Sequence, residues 1–445
     1  MIIANIFILN GLGEKLKIIN KIRQNSYIIQ IITLMSGTLM AQVIMFAFIP
    51  ILTRIYTPSE FGLYSLFFAI SSMLGMVSSL RYEQAIMLPK SNRDAQALVF
   101  LSIIVTILFS LIIALILWLF YQPILNYFEG NSYLVWLLSP SIMIIGLVQI
   151  FETYSTREQL YKKIAFVRMM ESVTTISSQG ISRYFFALDG LIVGKMFSNL
   201  ISLYLFCYFH IKKQTLVLKY ITKRRIRANI KRHEDFPKYF TLSSLLNSFS
   251  QQVPLFLFTL LFSPAIAGFY SLSARIIQAP ILLVSGSTRS VFYQRASKMH
   301  SNGEDITPLY LKTTIGLIKL FIAPLLIILF FGQEIFVFLF GLEWGESGVI
   351  SQITIFWFLF VFISAPTSAM YNILNLQKIL LIIQLITIVT RVVAIYLGYY
   401  IFGTYIASVV LFTIASVIHN IIFIGYIYYV GLASADQLKK QKETK

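Results

Sequence analysis

The sequence has a single cysteine, Cys207, and only 12 % charged residues in 445. One cysteine excludes an intramolecular disulfide, and no cluster of His and Cys has the spacing of a metal site. The sequence also lacks the Walker and GxGxxG patterns of phosphate-binding loops, which argues against ATP hydrolysis by this chain. Acidic residues are few, 18 against 36 Lys and Arg. Because a soluble chain of this length would need far more polar surface, these absences exclude an ordinary soluble enzyme.

The sequence instead contains many long apolar runs. The chain is 57 % hydrophobic, with a mean hydropathy of +0.78. Runs of about twenty residues are long enough to cross a hydrocarbon core of about 30 Å. About twelve occur, at 27–53, 61–80, 95–120, 133–153, 165–186, 188–209, 237–261, 264–287, 309–331, 348–371, 377–400 and 403–429. The sequence therefore predicts an all-α polytopic membrane protein with about 12 transmembrane helices.

Basic residues alternate between the predicted connections. Lys and Arg are concentrated in the N-terminal arm at 1–26, in every second connection and in the tail at 430–445. The loops at 121–132 and 332–347 contain Glu but no Lys or Arg. Since short cytoplasmic loops retain positive charge, both termini are predicted to be cytoplasmic in a bacterial inner-membrane protein. The arm at 1–26 has no cleavage signal, and we interpret it as an interfacial amphipathic helix.

The net charge of +18 has two interpretations. The segment 210–236 contains KYITKRRIRANIKRH, which could suggest a nucleic-acid partner. A basic cytoplasmic linker, attracted to anionic lipid, explains the same residues together with the alternation of charge. We therefore expect the lipid bilayer as a partner and no nucleic acid. The linker then separates an N-terminal lobe at 27–209 from a C-terminal lobe at 237–429.

Two short segments resemble each other 206 residues apart. TPSEFGLYSLFFAI starts at Thr57, and SPAIAGFYSLSARI starts at Ser263. Each begins with a hydroxyl residue and proline, a favoured start for a helix, and Glu60 completes a capping box in the first copy. Helix capping does not explain why Gly, Tyr, Ser and Leu then follow in the same order. Duplication of a six-helix unit does, and an even number of spans makes the two copies parallel.

The phrase RIYTPSEFGLYSLFFAI after the first span, the arrangement of six plus six helices and the basic central linker resemble the polysaccharide flippases of the Wzx type. These belong to the multidrug/oligosaccharidyl-lipid/polysaccharide exporter superfamily. The resemblance implies two lobes around a central cationic cavity and transfer of an undecaprenyl-diphosphate-linked glycan, an O-antigen or capsule repeat unit, to the periplasmic leaflet. It further implies a role in polysaccharide or lipopolysaccharide biosynthesis, partners that include a polysaccharide polymerase and chain-length proteins, and no cofactor.

Four cations within the predicted spans fit an anionic headgroup. Arg275, Lys319 and Arg391 lie about ten or more residues inside their spans at 1.5 Å per residue, and Lys195 lies about a third of the way in. Charges at that depth usually face a bundle interior or water. Because diphosphate suits the planar guanidinium fork, we expect these four residues to bind the headgroup.

Polar side chains also recur at helical spacing. Arg168, Glu171, Thr175, Ser178 and Ser182 form one stripe, and we expect Gln278 and Gln384 to line the cavity with them. The alternative is that such residues only join helices by hydrogen bonds. Since Glu171 shares a helix face with Arg168, we expect the two to pair. Glu171 and His419 are candidates for ion coupling, although a hydrogen-bonded structural role suits His419 better.

Two other function classes stay open at this point. A cation-coupled multidrug antiporter of the same fold would need acidic residues for its substrate, and the first span has none. A membrane glycosyltransferase or polymerase would need carboxylates or Arg clusters in a large outer loop, and these loops are short. The composition therefore favours a flippase that is not an enzyme.

Overall fold

The computed structural model describes residues 26–128, 130–186, 189–213, 222–374 and 376–443, and within these ranges all regular structure is helical. The N-terminal half contains α1 (Ser26–Ile55), α2 (Pro58–Val77), α3 (Tyr82–Ala85), α4 (Asn92–Leu119), α5 (Tyr121–Tyr127), α6 (Ser132–Arg157), α7 (Tyr161–Phe186) and α8 (Gly190–Lys212). The predicted amphipathic arm and the middle of the predicted linker lie outside the described residues.

A short basic helix, α9 (Lys223–Arg232), and a π-helical turn at Phe236–Phe240 lead into the second half. This half contains α10 (Thr241–Leu261), α11 (Pro264–Ser301), α12 (Thr307–Phe340), a 3₁₀ turn at Leu342–Trp344, α13 (Gly345–Ile363), α14 (Ala365–Ile373), α15 (Gln377–Phe402) and α16 (Tyr405–Glu443). The run predicted at 348–371 is divided between α13 and α14 at Ser364, two residues before Pro366.

Ten spans in the described part of the chain are long and apolar enough to cross a membrane, where the sequence suggested about twelve. The other two predicted runs, 165–186 and 237–261, are helical and form α7 and α10. Their polar side chains make these two helices less apolar than the ten spans above. Polar side chains in a membrane helix usually face a protein interior or water, so these two helices are the first candidates to line a cavity.

The helices form two lobes. In the N-terminal lobe α7 packs against α1 and α8, and α6 packs against α2 and α4. In the C-terminal lobe α13 packs against α11, α12 and α16, and α15 packs against α10 and α16. The lobes meet mainly where α2 lies against α10 and α11.

The repeated sequence forms equivalent helix starts in the two lobes. Thr57 caps α2, accepting a hydrogen bond from the Glu60 N–H at 3.4 Å, while the Glu60 carboxylate accepts one from the Thr57 N–H at 2.7 Å. Ser263 caps α11, accepting a hydrogen bond from the Ile266 N–H at 3.3 Å. The predicted capping box is therefore present in the first copy.

These two helices cross against each other in a reciprocal contact. A Cβ atom on Gly62 would lie 1.7 Å from the carbonyl oxygen of Pro264, and one on Gly268 would lie 1.9 Å from that of Pro58. One turn further, the Ser65 hydroxyl donates to the Ser271 hydroxyl at 2.8 Å. Residue i of one copy touches residue j of the other and the reverse, which is the contact that a two-fold axis produces. The repeated glycines are required because each backbone must approach the other copy's carbonyl.

Aromatic side chains close the same end of the molecule. Trp344 is fully buried between the lobes, with its ring centroid 5.0 Å from that of Phe61, and its indole N–H donates to the Thr53 carbonyl at 2.9 Å. Phe336 and Phe340 pack into the same cluster. The lobes are thus joined tightly at the end where α2 and α11 begin.

Candidate functional site

A cavity of about 280 Å³ lies between the lobes, beside the crossing of α2 and α11. Its walls come from α2, α10 and α11. The lining residues are Phe61, Tyr64, Ser65, Phe68, Ala69, Gln251, Gln252, Leu255, Tyr270, Ser271, Leu272, Ala274, Arg275 and Gln278. Two of the predicted site residues, Arg275 and Gln278, therefore line one interlobe cavity. Their three-residue spacing places both on one face of α11.

Arg275 is the only charged residue among those lining residues. Its side chain is partly buried, and no carboxylate within the described ranges lies within ion-pair distance of it. Gln251, Gln252 and Gln278 add neutral donors and acceptors around it. A partly buried guanidinium without a counter-ion can bind an anion bidentately, and amides can hydrogen-bond to sugar hydroxyls.

A second cavity, of about 240 Å³, lies inside the N-terminal lobe between α1, α7 and α8. Its lining residues are Thr38, Ala41, Gln42, Met45, Arg168, Glu171, Ser172, Thr175 and Lys195. The structure thus brings Lys195 together with the first half of the predicted polar stripe. Lys195 does not share the cavity of Arg275.

The charges in this second cavity are paired. The Lys195 ammonium donates to the Glu171 carboxylate at 2.6 Å, and Arg168 donates through Nε to Glu152 at 3.1 Å. Arg168 also donates to the Thr38 hydroxyl at 2.6 Å. The expectation that Glu171 pairs with Arg168 is wrong, because the arginine extends to α6 and α1 while Glu171 points toward α8.

The rest of the stripe joins two helices of the N-terminal lobe. Ser178 donates to the Gly194 carbonyl at 2.7 Å, and Thr175 donates to the Ser198 hydroxyl at 2.8 Å, both on α8. Ser182 is buried. Hydrogen bonding between helices therefore accounts for Ser178, whereas Thr175 both bonds to α8 and lines the second cavity.

Arg391 and His419 lie within the C-terminal lobe and do not line the interlobe cavity. Arg391 is only 8 % exposed, and its guanidinium lies over the rings of Trp357 and Phe412, at 5.1 and 5.5 Å. His419 on α16 is hydrogen-bonded to the Thr387 hydroxyl on α15 at 2.7 Å. This bond matches the structural interpretation of His419.

Lys319 and Gln384 are separate from both cavities. Lys319 is exposed on α12, and Gln384 is half-buried on α15. The four cations expected to act together are therefore in four different surroundings, since depth in the membrane does not determine which way a side chain points around its helix.

Sequence reasoning missed several residues of the two cavities. Gln252, Thr38 and Gln42 belong to no recognisable motif, and their only signal is a polar side chain in an apolar helix. Ser65 and Ser271 belong to the repeat, but their mutual hydrogen bond follows only from the crossing of the two helices.

The fold is that of several solved membrane transporters. It is similar to an inward-facing multidrug resistance MATE family transporter of the MOP superfamily, with a TM-score of 0.66 and 15 % identity over 92 % of this chain and 95 % of that one. An outward-facing MATE transporter gives 0.61 at 17 % identity, over 92 % and 96 % of the two chains. A MOP superfamily transporter from Pyrococcus furiosus, described as having a binding pocket of reversed polarity, gives 0.61 at 16 % identity, over 91 % and 96 %.

The family of this protein is shown by a match of its sequence to a family model. Residues 51–349 match the model of the polysaccharide biosynthesis protein family, and since this is more than half of the chain, the protein belongs to that family. No curated protein sequence matches it. Together the family and the fold confirm the resemblance to Wzx-type members of the superfamily and the prediction of an all-α, two-lobed membrane protein.

Proposed function

We propose that the protein is a flippase that moves an undecaprenyl-diphosphate-linked oligosaccharide, an O-antigen or capsule repeat unit, from the cytoplasmic to the periplasmic leaflet. The observation that carries this proposal is the interlobe cavity, in which Arg275 is the only charge among the lining residues and has glutamines beside it. A cation in such a place disfavours a cationic drug and attracts an anion. The family match to polysaccharide biosynthesis supports a glycan as the attached group.

The orientation is proposed from the distribution of charge. The end at which α2 and α11 begin is closed by Trp344 and carries few cations, whereas α9 carries six and the connection that follows α2 carries Arg81 and Lys90. Lys and Arg are retained on the cytoplasmic side. The closed end would therefore face the periplasm, and this state would receive its substrate from the cytoplasm.

In this proposal the diphosphate pairs with Arg275 while the lipid tail stays in the bilayer. Arginine offers two parallel N–H donors to neighbouring phosphate oxygens, which orients the headgroup as well as binding it. Gln251 and Gln278 would hydrogen-bond to the first sugars. Contacts of moderate strength suit transport, because the headgroup has to leave on the other side.

The other cations predicted for the site would have roles other than binding the diphosphate in the interlobe cavity. Lys319 is exposed and would meet the headgroup only outside the interlobe cavity. Lys195 is held by Glu171, so it would bind an anion only when that pair opens. Protonation of Glu171 is one way to open the pair, and this keeps Glu171 as the proposed ion-coupling residue.

Replacement of Arg275 tests the proposal. In the native host, with the chromosomal gene deleted, Arg275→Ala should lower surface polysaccharide roughly tenfold or more while the protein remains in the membrane. Arg275→Lys should restore part of the loss, because it keeps the charge but not the fork. Arg295→Ala is the matched control, since Arg295 is exposed on the same helix and does not line the cavity.

Two results would overturn the proposal. One is normal surface polysaccharide with Arg275→Ala at wild-type membrane levels. The other is a deletion strain that exports polysaccharide normally but becomes sensitive to cationic dyes, which would identify a multidrug antiporter instead.

A further inference from the structure

Helix α10 contains a carbonyl group that its own helix cannot satisfy. Pro254 lies inside α10 and has no N–H. In an α-helix the carbonyl of residue i accepts from the N–H of residue i+4, so the Ser250 carbonyl loses its partner. Hydrocarbon offers this oxygen no partner and Ser250 is buried, so another protein group or a bound water has to satisfy it.

Arg391 from α15 supplies that group. Its Nη1 donates to the Ser250 carbonyl at 3.4 Å, and its Nε donates to the Ser416 hydroxyl on α16 at 3.1 Å. The guanidinium face is covered by Trp357 from α13 and Phe412 from α16. One side chain thus joins α10 to three neighbouring helices. Ser250 is itself buried, so this contact is closed to solvent.

We propose that Arg391 is a positioning residue whose hydrogen bond to the Ser250 carbonyl fixes α10 at the turn that precedes Pro254 and thereby places Gln251 and Gln252 in the interlobe cavity. The two glutamines follow Ser250 directly, and both line that cavity. The role in substrate binding depends on the function proposed above, whereas the contact with the Ser250 carbonyl does not.

The geometry favours positioning over direct contact with substrate. Arg391 is 8 % exposed, does not line the interlobe cavity and has its guanidinium packed against the rings of Trp357 and Phe412. Arginine is suited to this place because it can donate in two directions while stacking on aromatic rings. Lysine has a compact ammonium that cannot reproduce both the fork and the stacking.

A double-mutant cycle between Pro254 and Arg391 tests the proposal. Pro254→Ala restores an N–H four residues after Ser250, which makes the arginine donor redundant. Arg391→Met in the otherwise wild-type protein should lower the Tm by several degrees and weaken binding of geranyl diphosphate roughly tenfold, because the α10 carbonyl is left without a donor. In the Pro254→Ala background the same substitution should change both values much less.

Arg275→Met is the matched comparison in the same cycle. It should weaken geranyl diphosphate binding equally in both backgrounds and leave the Tm near the wild-type value. If Arg391→Met behaves in this way, with equal binding losses in both backgrounds, Arg391 contacts the ligand and the positioning role is wrong. An equal fall of Tm in both backgrounds also overturns it.

Two further results keep the proposals distinct. If the wild-type protein does not bind geranyl diphosphate, the proposed function loses its support, and the Tm cycle alone still decides the role of Arg391. If Arg391→Met does not accumulate in the membrane, Arg391→Lys takes its place, and recovery of its Tm by Pro254→Ala supports the proposal while equal Tm losses in both backgrounds contradict it.

Discussion

At the scale of single residues, Glu83 shows how this protein holds a charge outside its spans. It lies in α3, between the spans α2 and α4, and is only 1 % exposed. Its carboxylate accepts hydrogen bonds from Ser79, from Arg81 at 3.2 Å and from Gln149 at 3.3 Å. The backbone of Arg81 has a φ of 61°, an uncommon value for a residue other than glycine.

Burial raises the pKa of Glu83, although Ser79 and Arg81 act in the opposite direction. A carboxyl with a raised pKa binds its proton more tightly in the folded chain than in the unfolded chain. Stability therefore falls as the pH rises through the interval between the ordinary and the raised value. As the pH rises above the ordinary range of a glutamate carboxyl, we expect the Tm of the purified protein to decrease, in part because of this group.

Glu83→Gln should make that decrease smaller, because the amide stays neutral and still accepts hydrogen bonds. Glu83→Ala should lower the Tm at every pH, since Ser79 and Gln149 lose their acceptor. Glu234→Gln is the control: Glu234 is exposed, and its ion pair with Lys238 contributes little. Unchanged pH dependence in Glu83→Gln would show that other groups set it.

At the scale of elements, the crossing of α2 and α11 explains the repeated sequence. Each helix begins at a capped proline, and each copy's glycine allows the other copy's carbonyl to approach. A residue with a side chain at Gly62 or Gly268 would force the helices apart. Ser65 and Ser271 lie at the cavity side of this contact and are joined there by a single hydrogen bond between hydroxyl groups.

A reversible crosslink tests whether this contact opens during transport. With Cys207 replaced by Ser, Ser65→Cys and Ser271→Cys should form a disulfide on oxidation, because the two hydroxyl oxygens are 2.8 Å apart. We expect export of surface polysaccharide to stop when the bond forms and to resume on reduction. The two single-cysteine variants control for the substitutions themselves. Full export with the disulfide intact would mean that the lobes do not separate here.

At the scale of the whole molecule, the two lobes differ in the groups that surround their internal cations. The N-terminal lobe pairs its internal cations with Glu152 and Glu171, whereas the C-terminal lobe surrounds Arg391 with rings, hydroxyl groups and a carbonyl. The interlobe cavity has Arg275 facing it without a carboxylate in its lining. In the proposed function, this cation is the group that would attract the anionic headgroup to the space between the lobes.

Cysteine labelling in intact cells tests the proposed orientation. With Cys207 replaced by Ser, cysteines at Glu343 and Thr404 should react with a membrane-impermeant thiol reagent, because both positions are exposed in connections predicted to be periplasmic. Cysteines at Ser91 and Ser301, exposed at the other end, should react only after the membrane is permeabilised. The opposite pattern would invert the topology and, with it, the direction of the proposed transport.

The sequence by itself determined the class of fold and the helix starts. Apolar runs of membrane length need no tertiary information, because the bilayer acts on each helix separately. The capping box at Thr57 and Glu60 is equally local, since its partners lie three residues apart. The pairing of a cationic and a polar residue on one face, Arg275 with Gln278, follows from helical spacing alone.

Only the tertiary structure decided what each internal charge does. Arg275, Lys195 and Arg391 are all cations within apolar helices, yet one faces the interlobe cavity, one pairs with Glu171 and one caps the carbonyl left by Pro254. Their partners are contributed by other helices far along the chain. The rotation and crossing of those helices determine the partners. Neither can be deduced from the hydropathy or the helical spacing of a single segment.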